Sequence, residues 1–132
     1  MRIVLDTNVL LAGLATHGLC EALLVLCMRD HSVITSEHIL NEVHKHYRGK
    51  FKADPEHAAL IVNTLRSQCQ IVTPAAVPAD VFDDPDDLPV LGTAIAGQAE
   101  CLITGDLELL ALGEYQGVPI LSPRAFYDRI RS

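Results

Sequence analysis

The sequence predicts an α/β fold, a three-layer α/β/α sandwich with a central parallel β-sheet of four to five strands. Short apolar runs alternate with segments whose apolar residues recur at helical spacing, the pattern of alternating strands and helices. Of the 132 residues, 49% are hydrophobic but only 5% are aromatic, as in the aliphatic core of a parallel sheet covered by helices. This length suits one core, so we expect a single domain over residues 1–132.

Five apolar runs are short enough to be strands, and turn-forming or polar residues bound them. They are Ile3–Leu5, Ser32–Thr35, Ile71–Val72, Cys101–Thr104 and Val118–Leu121. The segments between them predict helices from Val9 to Leu14, from Cys20 to Asp30, from a cap at Ser36 through Tyr47, from Pro55 through Leu65, from a cap at Asp86 or Asp87 through Ala99, from Leu107 to Leu112, and from Pro123 to Arg131.

Charge and cysteine usage restrict the partners and the location. A net charge of −7 argues against nucleic-acid binding through a broadly basic surface, although cations bound among clustered acids would cancel part of that charge. The cysteines have no CxxC spacing and lie in apolar stretches, as expected of buried free thiols; they are Cys20, Cys27, Cys69 and Cys101. No apolar run approaches the ~18 residues of a membrane span and no leader-like segment precedes the first strand, so we expect a cytoplasmic protein without a membrane partner.

Acidic residues cluster at one edge of the predicted sheet. Asp6 and Asp106 directly follow strands and therefore lie at the carboxyl edge. Crossover helices run antiparallel to the strands, so the helix start at 84–87 and the helix that carries Glu42 bring further acids to that edge. Crowded carboxylates repel one another and usually hold a divalent cation. The pattern predicts a metal-dependent phosphodiesterase.

Each acid also has a purely structural interpretation. Asp6 and Asp106 could cap a helix or a turn, and Glu42 could be a solvated helix edge. The run 83–87 could be a loop rich in caps, which is the interpretation we prefer for Asp83.

Several polar neighbours could support the acids. The candidates to orient a carboxylate or contact a phosphate are Thr7, Asn8 and Thr104, and capping accounts equally well for the first two. One helix face carries three potential ligands at four-residue spacing, His38, Glu42 and His46. That spacing could form a transition-metal site, but we favour two surface histidines beside a catalytic glutamate.

Around these acids the chain resembles the PIN-domain family, and most closely the single-domain, VapC-like PIN toxins of toxin–antitoxin pairs. The resemblance covers nearly the whole chain. It rests on the segments IVLDTNVL (3–10), TSE (35–37) leading to Glu42, DPDD (84–87) and LITGDL (102–107). Leu88-Pro89 departs from the family pattern, because close relatives often have a polar residue there.

The resemblance implies a metal-dependent endoribonuclease that hydrolyses RNA and acts as the toxin of a type II toxin–antitoxin system. Its catalytic and metal-binding acids would be Asp6, Glu42, Asp87 and Asp106, with Asp86 as a further metal ligand and Mg²⁺ or Mn²⁺ as the cofactor. Asp84 and Asp86 remain alternatives to Asp87 as the third acid. A cognate antitoxin protein and a homodimer or higher homo-oligomer are also implied. The alternative is a catalytically inactive PIN module that binds RNA or a protein partner.

One basic segment could contact RNA. Lys45, Arg48, Lys50 and Lys52 interleave with Tyr47 and Phe51, so they could hold phosphates and stack a base. Basic residues at a helix C-terminus also complement its dipole without binding anything, and this alternative stays open.

Other enzyme classes fit the chain less well. A phosphotransferase with Asp6 as nucleophile would need an acid at position 8, where the chain has Asn8. A receiver-like fold would need a lysine near the last strand, and the glycine-rich nucleotide-binding motifs are missing.

Overall fold

A computed structural model describes residues 1–131, and Ser132, the last residue of the predicted domain, lies outside the described residues. The strands are β1 (Arg2–Leu5), β2 (Ser32–Thr35), β3 (Gln70–Ile71), β4 (Cys101–Ile103), β5 (Glu114–Tyr115) and β6 (Val118–Leu121). The helices are α1 (Thr7–Ala15), α2 (Leu19–Asp30), α3 (Glu37–Gly49), α4 (Pro55–Gln68), α5 (Leu88–Ala96), α6 (Leu107–Leu112) and α7 (Pro123–Arg131).

The strands form one mostly parallel sheet in the order β3-β2-β1-β4-β6-β5. Strand β1 lies near the middle, where Val4 pairs with Ile34 of β2 on one side and with Leu102 of β4 on the other. Every neighbouring pair is parallel except β5 and β6. The predicted α/β class with a central, largely parallel sheet is confirmed.

Across residues 1–131 the sheet has six strands, one more than the upper limit of the prediction. The additional strand is β5, which pairs antiparallel with β6 through Glu114–Pro119 and Tyr115–Val118. Between them, Gln116 and Gly117 have φ angles of 48° and 83°, the left-handed pair that a two-residue hairpin turn requires. A strand of two residues is too short to show an apolar pattern. The turn formed by a polar residue followed by glycine was therefore the signal from which β5 could have been predicted.

Helices flank the sheet on both faces. The chain steps from β1 to β2 to β3 in one direction and then crosses back to β4, so right-handed crossovers place α1 to α4 on one face and α5 on the other. Accordingly α1 packs on α2 and α3, and α3 packs on α4, whereas α5 packs on β1 and β2. The three-layer arrangement buries the aliphatic strands, including Ile3, Leu5, Ile34, Leu102 and Ile103.

Local sequence signals set the helix starts near the predicted positions. Ser36 caps α3 through a bond from the Ile39 N–H (3.5 Å), and Asp54 caps α4 through a bond from the His57 N–H (2.8 Å). Helix α5 begins at Leu88 with a proline in its first turn, so the departure from the family pattern at this point does not prevent helix entry.

The described residues include no single helix long and apolar enough to cross a membrane; α1 and α2 meet those criteria only as a pair bent by 105°. All four cysteines are free. Cys27 and Cys101 are buried as predicted, and burial raises their pKa to about 12 and about 11. Cys20 and Cys69 are only partly buried, so the prediction of buried thiols is wrong for these two in degree.

Candidate active site

A cleft of about 530 Å³ opens at the carboxyl edge of the sheet. The walls come from the start of α1, one side of α3, the loop before α5 and the start of α6. Six carboxylates line it: Asp6, Glu42, Asp84, Asp86, Asp87 and Asp106. The topology thus gathers all the acids that the sequence predicts as metal ligands into one concavity.

Asp6 is the most deeply buried acid of the cleft, with 5% of its surface exposed. It follows β1 and occupies the N-cap position of α1, so the capping interpretation is correct as far as position goes. Its Oδ1 accepts from the Thr7 N–H (2.8 Å), and its Oδ2 accepts from Asn8 Nδ2 (3.2 Å) and the Thr104 hydroxyl (2.7 Å). Three donors therefore stabilise the ionised carboxylate of Asp6 against the cost of burial.

Thr104 and Asn8 tie the ends of β1 and β4 together. The Thr104 hydroxyl donates to Asp6 and accepts from the Asp106 N–H (3.0 Å). The Asn8 side chain donates to Asp6 and accepts from the Gly105 N–H (3.0 Å). These two side chains hold Asp6 and Asp106 in a fixed relation.

Asp106 begins α6 at the cleft wall. Its Oδ1 accepts from the Glu108 N–H (2.9 Å) and from the Leu109 N–H (3.4 Å), so it caps this short helix. The side chain is partly exposed and lines the cleft. Asp106 therefore both caps α6 and contributes a carboxylate to the cleft.

Asp87 is the acid of the loop 83–87 that the fold brings partly out of solvent, whereas Asp83, Asp84 and Asp86 are exposed. Asp84 is used in a turn, because its Oδ1 accepts from the Asp86 N–H (2.9 Å). Asp87 occupies the N-cap position of α5, yet its side chain makes no capping hydrogen bond. Its carboxylate is therefore free of local backbone partners and lies in the cleft.

The carboxylates of the cleft repel one another. Burial, followed by repulsion from Asp106, Asp6, Asp84 and Glu108, raises the pKa of Asp87 to about 7. Burial also raises the pKa of Asp6, and repulsion from Asp106 adds to that effect, while the bonds from Thr104, the Thr7 N–H and Asn8 oppose it. The charges of Asp6 and Asp106 therefore oppose ionisation of Asp87, in keeping with the one cleft that these three acids line.

Glu42 and two histidines line the α3 wall of the cleft. His38 Nε2 lies 3.1 Å from the Asp86 carbonyl oxygen, and His46 Nδ1 lies 2.7 Å from the Glu42 carbonyl oxygen. Each histidine thus has one ring nitrogen engaged by a backbone carbonyl. His38 links α3 to the loop that carries Asp87, a contact that the four-residue spacing did not reveal.

The predicted basic segment divides into residues that reach the cleft and residues that do not. Lys50 and Phe51 line it, whereas Lys45, Arg48 and Lys52 are exposed outside it. Tyr47, which the sequence offered as a second stacking ring, is 6% exposed and belongs to the core, so it presents no face to a ligand.

The cleft suits a hard divalent cation by donor chemistry, because carboxylate oxygens are the ligands that Mg²⁺ and Mn²⁺ prefer. The arrangement is not a finished ligand shell: within residues 1–131, no three His, Cys, Asp or Glu side chains are grouped closely enough to hold a metal ion. The fixed carboxylate is Asp6, while Asp87, which makes no capping bond, would move toward a cation. The assignment of individual acids to a metal stays a prediction.

Sequence reasoning missed five contributors to the site. Leu11, Ala12 and Thr16 form part of the α1 wall, Val90 lines the cleft from α5, and Glu108 adds to the negative potential at Asp87. The α1 residues recur at helical spacing from Asn8, a signal that could have identified them.

The sequence profile described as PIN domain matches residues 2–108 of the chain. No match was found among curated proteins. Three solved structures are similar along nearly their whole length. The structure of VapBC2 from Rickettsia felis bound to a DNA fragment from its promoter has a TM-score of 0.65 and 16% identity, over 92% of this chain and 98% of that chain.

DNA-bound VapBC from Salmonella typhimurium has a TM-score of 0.64 and 17% identity, over 93% of this chain and 98% of that chain. VapBC-1 from nontypeable Haemophilus influenzae has a TM-score of 0.63 and 14% identity, over 94% of this chain and 99% of that chain. At such low identity these likenesses show a shared fold.

Proposed function

Because the chain belongs to the PIN-domain family, we propose that it is a Mg²⁺- or Mn²⁺-dependent endoribonuclease that acts as the toxin of a type II toxin–antitoxin pair. Water adds to phosphorus as the P–O3′ bond breaks, the proton passes to the leaving oxygen, and the products carry 5′-phosphate and 3′-hydroxyl ends. The observation that carries this proposal is the cleft itself, in which Asp6, Asp87 and Asp106 lie together with Glu42 and Asp86.

The residues of the chain divide into ligands and supports. Asp6, Asp87 and Asp106, aided by Glu42 and Asp86, would hold the cation. Thr104 and Asn8 fix the position of Asp6, and Thr104 also fixes the backbone at Asp106. The bound cation would lower the pKa of a water molecule and neutralise negative charge on the phosphate. The buried floor beneath Asp6 keeps bulk water away from that carboxylate and strengthens its electrostatic interactions.

A cognate antitoxin as partner is supported by the solved structures with the same fold, which are VapBC complexes. A homodimer or higher homo-oligomer and a cytoplasmic location belong to the same proposal. The homo-oligomer predicts a mass above the monomer mass of 14.4 kDa for the purified protein in size-exclusion chromatography with light scattering.

A second candidate function is a catalytically inactive PIN module that binds RNA or a protein. It is favoured by one observation, that no three ligand side chains in residues 1–131 are already grouped around a metal position. The two candidates differ in metal binding and in turnover, so one set of measurements separates them.

The test is cleavage of a mixed pool of structured and single-stranded RNA by purified protein with Mn²⁺, Mg²⁺ or EDTA. The variants are Asp6→Asn and Asp106→Asn, with Asp83→Asn as the matched control, because Asp83 lies in the acidic loop but does not line the cleft. Metal-dependent cuts lost in the first two variants and retained in the control support the nuclease. No cleavage, together with no Mn²⁺ binding by calorimetry, supports the inactive module.

A further inference from the structure

The C-terminal end of α3 brings one cation and one aromatic ring into an otherwise acidic cleft. Among the described residues, Lys50 is the sole Lys or Arg that lines the cleft, and it is followed directly by Phe51. The other basic residues of the segment, Lys45, Arg48 and Lys52, lie outside the cleft. The basic residues of this segment look equivalent in the sequence, but the fold brings Lys50, together with Phe51, to the cleft.

The ring of Phe51 is exposed but held in place. It retains 41% of its surface exposed, and it packs on Tyr47 with ring centroids 5.3 Å apart and planes tilted by 39°. Tyr47 in turn packs edge-on against His57 at 6.2 Å. A ring fixed on one side by a buried aromatic residue and open on the other loses little freedom when a flat ligand stacks on it.

The backbone around this pair is fixed as well. The N–H groups of Lys50 and Phe51 both donate to the His46 carbonyl oxygen, at 2.8 and 3.2 Å. The next residue, Lys52, has a φ of 53°, and the Ala53 N–H then donates to the Tyr47 carbonyl oxygen (2.8 Å). This turn closes α3 and keeps the Lys50 and Phe51 side chains at the cleft.

The pair lies toward the C-terminal end of α3, away from Glu42. Lys50 follows Glu42 by eight positions, which corresponds to about 12 Å along a helix axis. At this separation from Glu42, a cation is placed to meet a phosphate of the RNA other than the one that is cut. We therefore expect its effect on substrate binding rather than on the chemical step.

We infer that Lys50 and Phe51 form a subsite that binds an unpaired nucleotide away from the cut, with its phosphate on Lys50 and its base stacked on Phe51. This inference rests on the proposed nuclease function and names the residues that make the enzyme require a single-stranded segment. A base within a duplex has both faces covered by its neighbours, so it cannot stack on Phe51. The cleft volume of about 530 Å³ is sufficient for such a group.

The test measures binding of a short fluorescein-labelled RNA by anisotropy, unpaired or annealed to its complement, in protein that carries Asp106→Asn so that cleavage does not interfere. In this background we compare Phe51→Ala, Phe51→Leu, Phe51→Trp and Lys50→Ala. The matched control is Lys45→Ala, because Lys45 lies on the same helix outside the cleft.

We expect Phe51→Ala to weaken binding of the unpaired strand by about 5- to 150-fold, the range for loss of one stacked base. Phe51→Leu keeps an apolar contact with Tyr47 but has no aromatic face, so it should bind as weakly as Phe51→Ala, while Phe51→Trp should restore affinity. Lys50→Ala should reduce the magnitude of the negative slope of log affinity against log salt by about 0.7, which corresponds to the loss of one phosphate contact on a single strand. Lys45→Ala should leave affinity within about twofold of its parent.

The inference is overturned if Phe51→Ala binds like Lys45→Ala, if Phe51→Leu binds like its parent, if the duplex binds as tightly as the single strand, or if no RNA binds. Failure of the nuclease proposal has a different readout, the absence of metal-dependent cleavage by wild-type protein. Where wild type cleaves, a second test applies: Phe51→Ala in the active protein should raise KM for the RNA with kcat nearly unchanged.

Discussion

Replacing Asp87 with Asn should make the metal-free protein more stable at pH 8. The structural reason is that Asp87 is a partly buried carboxylate among other negative charges, with a pKa raised to about 7 from an ordinary value of 3.8. Asn has nearly the same shape and no charge. The substitution also removes no capping bond, because the Asp87 side chain makes none at the start of α5.

The magnitude follows from the difference between the two pKa values. About three pH units at ~1.36 kcal/mol each would correspond to about 4 kcal/mol in a site without solvent. Asp87 is only partly buried, so screening by water reduces the penalty to about 1–2 kcal/mol. Loss of a negative charge at a helix N-terminus costs roughly 0.5 kcal/mol in the opposite direction. The net gain should be about 1 kcal/mol, or about 4 °C in Tm for a chain of this size.

The gain should depend on pH in a defined direction. Between about pH 4 and pH 7 the folded protein keeps the Asp87 proton while the unfolded chain has released it, so wild-type stability falls as pH rises through this window. The penalty is fully present above pH 7 and absent near pH 4. Asp87→Asn and wild type should therefore be about equally stable near pH 4, where the Asp87 carboxyl is neutral in the folded protein.

The assay is thermal unfolding in EDTA followed by circular dichroism, at pH 4 and at pH 8, with Asp83→Asn as the control from the same loop. The control should change Tm little at either pH, because Asp83 is exposed and lies outside the cleft. An Asp87→Asn protein that is no more stable than wild type at pH 8, or one whose gain is the same at both pH values, would refute the reasoning. Adding Mn²⁺ should raise the Tm of wild type more than that of Asp87→Asn.

Three further predictions test the cleft and the packing of α5. Asp6→Asn and Asp106→Asn should abolish Mn²⁺-dependent cleavage while circular dichroism stays native, because Asn keeps the Oδ1 acceptor that caps each helix, although at position 6 the bond from Asn8 to Oδ2 is lost; cleavage at the wild-type rate would contradict the assignment. Thr104→Val should lower the free energy of unfolding by about 1–3 kcal/mol in urea titrations, since Asp6 loses its hydroxyl donor, and Thr104→Ser should not. Gly92→Ala should cost about 1–3 kcal/mol by the same measurement, because the new Cβ overlaps the Ala75 carbonyl; unchanged stability would exclude that close approach.

Positions of the acids along the chain could be predicted from the sequence because each depends on a short local pattern. Asp6 and Asp106 follow apolar runs that are long enough only for a strand, and Glu42 lies beside a helical stripe. One physical rule, that parallel strands end at a common edge, then brings acids about a hundred positions apart to one place. The structure agrees, since Thr104 and Asp6 share a hydrogen bond across 98 positions of sequence.

Which acid of the loop leaves solvent depends on the packing of α5. From the sequence, Asp87 is the predicted third acid, and Asp84 and Asp86 remain alternatives to it. In the fold, Asp84 is used in a turn and Asp86 is exposed, whereas Asp87 is drawn toward Asp6 and Asp106 by the helix that begins after it. Burial and Coulomb repulsion depend on distances between elements, which no local pattern encodes.

The sequence by itself determined the α/β class, the parallel order of elements and the family, because apolar periodicity and helix caps act over a few residues. Every carboxylate that lines the cleft was also a candidate site residue in the sequence. Tertiary structure alone decided that Tyr47 is core, that Lys50 and Phe51 reach the cleft and their basic neighbours do not, and that Thr104 bridges two acids. These facts depend on which side of α3 faces α1 and on how β1 and β4 pair, and both are set by the burial of the whole core.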